Sequence, residues 1–421
     1  MKRFLFIIGL FLSASVFGQN TVSLDSCYTW TRQNYPNLKQ AGIWEQVTAL
    51  KKENLKTAYL PQLTVNGQAS YQSDVTKINV QNLPVNIPPM SKDQYKAYAE
   101  FRQSIWDGGL SAANAGLEDA ILKSNLSQLE VELYKLNEQV SQSFFTALAI
   151  GKQNRILEAQ IQVLREKLKE IRSGIEAQVV EASAEWEIEA EILNMEQNRI
   201  QLLAGKSAAI QILSILTGKN IDANAELQFE QENISENAAI VRPENVLFSD
   251  QRGRLEKQSE LLSKTRNPKI FGFGQAGYGR PGLNMLNNNF DTYYTVGVGV
   301  SWNALDWKKT SREKQMLQLQ SETINRQEET FTQNITVLLA QQREQVYKLE
   351  KLLETDKKMV ALRSNIVKTS ASKLENETIK TSDYIRDVQA ETIAKLNAEL
   401  HQIQLNEAKE KYILIQGKSL K

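Results

Sequence analysis

The chain repeats itself. Pro36, Pro61, Gly67, Gln68, Ala69 and Tyr71 recur 207 positions later as Pro243, Pro268, Gly274, Gln275, Ala276 and Tyr278. Past a loop that is eight residues shorter in the second copy, the offset settles at 199: Asp107 matches Asp306, Ser183 matches Ser382, and Gly218 and Lys219 match Gly417 and Lys418. Solenoids use repeats of roughly 20–50 residues, so a unit of this size is a duplicated domain-sized element. The first copy occupies 19–218 and the second 242–421, with 219–241 as the linker between them.

Each copy switches between two periodicities. From Leu126 the series Leu129, Leu133, Leu136, Val140 continues through Leu157, Ile161, Leu164, Leu168 and Ile171 at alternating steps of three and four, a coiled-coil seam. The second copy keeps a looser version in Phe331, Ile335, Leu338, Val346, Leu349 and Leu353. These seams predict long helices over about 108–180 and 307–378 and return helices over about 183–217 and 382–416, ended by Gly218 and Gly417. Asp107 to Ser183 and Asp306 to Ser382 both span 76 residues, so the two long helices should match in length, near ~100 Å at ~1.5 Å per residue. Each copy opens with a helix of 25 residues between paired prolines, Pro36 to Pro61 and Pro243 to Pro268.

Between opening and long helix the period becomes two. Leu63, Val65, Gly67, Ala69 and Tyr71 alternate with Thr64, Asn66, Gln68 and Ser70, which is a strand with one dry face. Strands are expected at about 61–73, 94–106, 268–279 and 290–304, each about ten residues long with aromatics near its ends. Phe271 and Phe273 break the pattern by falling on the polar side. The connections, one with Pro84, Pro88 and Pro89 and one with three consecutive Asn, read as exposed loops.

Lys2 and Arg3, the apolar run Phe4 to Leu12, and Val16 and Gly18 before a cleavage site predict a secretory signal peptide over 1–18. Without it the chain holds 48 basic and 49 acidic residues, and nothing suggests nucleic-acid binding. The one Cys, Cys27, belongs on a buried helix face, and the one His is His401, so disulfide frameworks, zinc clusters and Cys/His dyads are excluded by count. Gly272, Gly274 and Gly277 spell a dinucleotide fingerprint but lead into Pro281 and an Asn-rich loop instead of a helix. No cofactor and no enzymatic activity are expected. No stretch after the signal approaches eighteen apolar residues, so any membrane passage should be β-structure.

Four strands cannot close a membrane barrel, and an open edge in lipid leaves backbone groups unpaired at several kcal/mol each. Several chains must share one barrel: two would give eight strands, three would give twelve and a lumen. With the duplicated order of helix, two strands, long helix and return helix, and with NYPNLKQA, YLPQLTVNGQASY, SIWDGGL and NALDWKK, the chain resembles the TolC family of outer-membrane efflux proteins. The fold class expected is an α+β membrane protein that adds four strands to an oligomeric barrel and coiled-coil hairpins to a periplasmic helical barrel. The resemblance implies a homotrimer in outer-membrane lipid with a large periplasmic extension. It implies a passive exit duct for a tripartite efflux pump or type I secretion system, working with a periplasmic adaptor and an inner-membrane pump of RND or ABC type. The alternative is a soluble periplasmic coiled-coil scaffold or adaptor, which leaves the dry strand faces uncovered.

The helix turns hold the remaining candidates. Ser183, Glu185 and Glu187 in the first copy, and Ser382, Asp383, Arg386 and Asp387 in the second, follow the expected ends of the long helices. One reading makes Ser183 and Ser382 helix caps, with the acids complementing the helix dipoles. The resemblance implies a second role, in which Asp383 belongs to a cation-sensitive ring at a periplasmic gate; Arg386 stands where the family has a second aspartate, with Asp387 one place on.

Overall fold

The computed structural model describes residues 21–76, 89–230, 234 and 239–417. The signal segment, Pro84, Pro88 and Lys418 lie outside them. The order is β1 (Thr21–Ser23), α1 (Leu24–Asn34), a 3-10 turn (Pro36–Leu38), α2 (Lys39–Thr57), β2 (Gln62–Tyr71), β3 (Asp93–Trp106), α3 (Leu110–Glu176), α4 (Ser183–Thr217), β4 (Glu226–Gln228), α5 (Pro243–Lys264), β5 (Lys269–Arg280), β6 (Asp291–Ser301), α6 (Lys309–Glu375) and α7 (Thr381–Gln416). Both long helices have 67 residues, as the constant offset requires, and α4 and α7 end on left-handed Gly218 and Gly417. The chain divides into two compact units: 39–129 with 244–330, and the remainder.

The first unit contains the sheet, ordered β2-β3-β5-β6 with every neighbour antiparallel. Its helices are fastened by ion pairs. Lys51 meets Glu118 at 2.8 Å and Lys52 meets Asp119 at 2.9 Å, joining α2 to α3. The buried Asp250 of α5 takes Lys123 at 2.9 Å and accepts from the Ser127 hydroxyl of α3.

The strand-to-helix junctions explain SIWDGGL and NALDWKK. Asp107 Oδ1 accepts from the Gly109 amide at 2.9 Å, the Leu110 amide at 3.2 Å and the Tyr59 hydroxyl at 2.7 Å; Oδ2 accepts from the Ser111 amide at 2.7 Å. Burial pushes this carboxyl up, but the bonds from Ser111, Tyr59 and Gly109 outweigh it and hold the pKa at about 2. Gly108 and Gly109 have φ of 75° and 82°, the left-handed turn that aims these amides at one carboxylate. Asp306 caps α6 through the Lys308 and Thr310 amides, both at 3.1 Å. There the left-handed residues are Trp307 and Lys308, with φ of 52° and 65°.

The second unit is helical. Its largest core packs Leu24, Cys27 and Tyr28 of α1 against Val140, Phe144 and Phe145 of α3, Ala209 and Leu213 of α4, and Leu414 of α7. Cys27 is 0% exposed, the buried position its sequence context predicts. The Tyr28 hydroxyl donates to the buried Glu410 at 2.9 Å. The linker is not structureless: β4 lies within it and pairs in parallel with β1. Of the looser second seam, Ile335, Val346, Leu349 and Leu353 are buried, whereas Leu338 is exposed.

No uninterrupted apolar run approaches eighteen residues, but one helix, α4, is long and apolar enough by average composition to cross a membrane. Its apolar residues are split between two faces. Ala209, Ile210 and Leu213 enter the core, while Trp186, Leu193, Ile200 and Ile215 lie exposed. A helix apolar on opposite sides has two partners to cover.

Candidate channel wall and hairpin tips

The pairing register puts the dry residues of all four strands on one face. Across it run Leu63, Phe101, Gly274 and Val296 in one row and Val65, Ala99, Ala276 and Tyr294 in the next. Val65 is 77% exposed and Val296 71% exposed, so the face has nothing covering it. Aromatics bound it at both ends. At one end Phe290 stacks on Tyr278 at 5.4 Å and on Tyr95 at 6.3 Å, beside an Arg280–Asp93 ion pair. At the other stand Trp106 and Trp302, the latter donating Nε1–H to the Arg266 carbonyl at 3.0 Å. Eleven residue steps of ~3.3 Å separate Tyr95 from Trp106 by ~36 Å along the strand, which at the ~40° tilt usual in outer-membrane barrels would span ~28 Å, close to their ~25 Å apolar band.

The opposite face is polar with aromatic tiles, which accounts for the irregular strand. Phe271 lies across Gly299 and Phe273 across Gly297; a Cβ on either glycine would sit 2.6 Å or 2.7 Å from the ring's Cζ. Glycine in β6 makes room for a phenylalanine in β5. The pattern fails in sequence because the compensating glycines lie far along the chain, on a neighbouring strand.

At the tips both long helices end alike. Gln178 and Glu377, 199 positions apart, are left-handed with φ of 62° and 56°, and the following amides turn back to Gly174 at 3.0 Å and Lys373 at 2.9 Å. No glycine marks these stops. The return helices begin without the expected serine caps. Ala182, already helical, precedes α4, and Ser183 inside the helix donates to Glu181 at 3.4 Å. Lys380, extended, takes the cap position of α7, leaving Ser382 two residues too far in, and neither helix has a side-chain cap bond.

Of the tip acids, Glu185 accepts from Arg172 at 2.6 Å, and the same guanidinium reaches Glu189 at 2.6 Å. Glu187 is exposed. Asp383 pairs with Arg386 at 3.0 Å on the surface of α7, while Asp387 turns inward to accept from Ser370. The tip acids therefore do not converge within one chain, and no cluster of metal-ligating residues exists among the described residues. What joins the hairpins is a set of residues that sequence reasoning passed over. Lys167 of α3, largely buried, reaches Glu170 at 2.6 Å and Glu375 of α6 at 3.1 Å. Burial works against the Lys167 ammonium, but the two carboxylates prevail and raise its pKa. Gln389 of α7 donates to Glu191 of α4 at 2.6 Å. Around them Ile171, Ile188, Tyr384 and Val388 form a shared apolar core.

No family model matches the sequence, and no curated sequence matches it. Solved structures do. The outer membrane protein VceC from Vibrio cholerae aligns at a TM-score of 0.65 and 10% identity, over 94% of this chain and 97% of that one. This chain has the fold of the TolC-like channels. The open-state MtrE outer membrane channel of Neisseria gonorrhoeae gives 0.67 at 12% identity, covering 94% and 89%. The CmeC outer membrane channel of Campylobacter jejuni gives 0.62 at 13%, covering 94% and 87%. CmeC and MtrE are outer membrane channels. So low an identity with so complete an overlap means the TolC-like fold is held by periodicity and length, with few fixed side chains.

Proposed function

We propose that the protein is an outer-membrane channel, the passive exit duct of a tripartite efflux or secretion system, assembled as a homotrimer. The observation that carries this reading is a four-stranded sheet with one uncovered apolar face and two unpaired edges, β2 and β6. Lipid covers such a face, and only further strands satisfy such edges inside lipid. With four alternating strands per chain, β6 of one copy runs antiparallel to β2 of the next, so any number of copies closes without a parallel seam. Three copies give twelve strands and a lumen, whereas two give a barrel filled by its own side chains. The exposed stripe of α4 fits contact with a neighbouring copy for the same reason.

Envelope fractionation and planar-bilayer recording test the reading. Recovery with outer membranes, release only by detergent, stepwise conductance and chemical crosslinking that stops at three chains are expected. Recovery in soluble periplasm without detergent would restore the scaffold reading, and a ladder ending at two chains would remove the trimer. A periplasmic adaptor and an inner-membrane pump are the partners this function needs, and crosslinked co-purification would identify them. Within this reading Asp383 belongs to the tip of each copy, where Arg386 offsets its charge. Unchanged cation block and selectivity in Asp383→Asn would exclude it from a gate.

A further inference from the structure

The polar face of the sheet, which lines the lumen if the channel reading holds, carries an arginine in an unusual setting. Arg102 of β3 lies with its guanidinium carbon 3.8 Å from the centroid of the Phe271 ring. The ring is itself bedded on Gly299, and Phe273, the register partner of Arg102, is bedded on Gly297. The guanidinium thus sits over a ring that is itself seated on a glycine. Arg102 nonetheless remains exposed, and among the described residues it makes no ion pair.

The other charges of this face do not cancel it. Lys96 and Asp291 flank Gly279 from opposite sides by register and carry opposite signs. Glu100 lies opposite Gln275, two residues from Arg102. Lys269 sits at the strand end, opposite Ser301. Each chain thus brings three cations and two carboxylates to this wall, and symmetry multiplies the excess. A guanidinium over a ring keeps its planar fork of donors available to a carboxylate, and low-dielectric walls strengthen its field.

We propose that Arg102, laid on Phe271, is a selectivity group of the barrel lumen that favours anions and binds planar carboxylate-bearing solutes in passage. The inference rests on the channel reading and deepens it by naming a substrate class for the barrel wall.

The test uses the purified full chain in planar bilayers under a tenfold KCl gradient, with benzoate as the planar carboxylate probe. In Arg102→Gln the chloride-to-potassium permeability ratio should fall about two- to threefold, and benzoate block should weaken. Arg102→Lys retains the charge but not the fork; it should keep the permeability ratio and still lose benzoate block about fivefold. A reversal potential in Arg102→Gln equal to that of the native protein overturns the anion preference. Benzoate block in Arg102→Lys equal to native overturns carboxylate recognition. Absence of any current from the native protein overturns the channel reading itself, and this inference with it.

Discussion

Replacing Asp107 by Asn separates charge from shape at the head of α3. The native carboxylate collects three amides and the Tyr59 hydroxyl, the longest of the four bonds being 3.2 Å. Burial opposes its ionisation, yet Ser111, Tyr59 and Gly109 bring its pKa from 3.8 to about 2. A drop of that size corresponds to roughly 2 kcal/mol of stability at neutral pH. Loss of a strong helix cap alone costs roughly 0.5–2 kcal/mol, which agrees in scale. Because the folded pKa is the lower one, the contribution is complete above the unfolded value and disappears as pH falls from about 4 toward 2. Denaturation in detergent, followed by far-ultraviolet circular dichroism, should therefore place Asp107→Asn about 2 kcal/mol below the native protein at pH 7, with the gap closing below pH 4. Asp306→Asn should lose less, since Asp306 is held by the Lys308 and Thr310 amides and a longer Arg266 contact at 3.8 Å, with no tyrosine hydroxyl. A gap that persists unchanged down to pH 2, or no gap at pH 7, would refute the reasoning.

Gly108→Ala should destabilise by more than about 1 kcal/mol, because its φ is +75° and the new Cβ would stand 2.6 Å from that of Asn267. Lys308→Gly should stabilise by about 0.5–1 kcal/mol by relieving a left-handed lysine at the matching turn, measured in the same denaturation series. The Cys27 thiol, buried and pushed up to about 12, should resist maleimide in the folded protein and react once it is unfolded. Lys167→Met should change stability little, since Glu170 and Glu375 are both well exposed and remain solvated. It should nevertheless speed amide exchange around 176–181 and 376–380, where the hairpins lose their link; unchanged exchange would mean that the apolar core alone holds the tips together.

What could be read from the sequence was whatever local geometry imposes at short range. Period two placed all four strands to within a few residues, and the seam of threes and fours placed the long helices, whose equal lengths follow from the constant offset. Asp107 and Asp306 were visible as junction motifs because a capping carboxylate must sit within four residues of the amides it serves. The tip was less legible. Ser183 and Ser382 suit a cap by residue type, but the backbone at Ala182 is already helical and Lys380 takes the extended position, so the serines lie inside their helices. Gln178 and Glu377 end the long helices without the glycine that would have announced a stop.

The sequence by itself determined which residues face together along each element, because 3.6 and 2 residues per turn are properties of the backbone and need no partner. The tertiary structure alone decided which faces meet. Lys167 finds Glu375 from 208 positions away, and β1 finds β4 across more than 200 residues. Phe271 and Phe273 point to the polar side because Gly299 and Gly297 leave room there. Complementarity of that kind belongs to pairs of surfaces, and only the folded chain brings both members within contact distance.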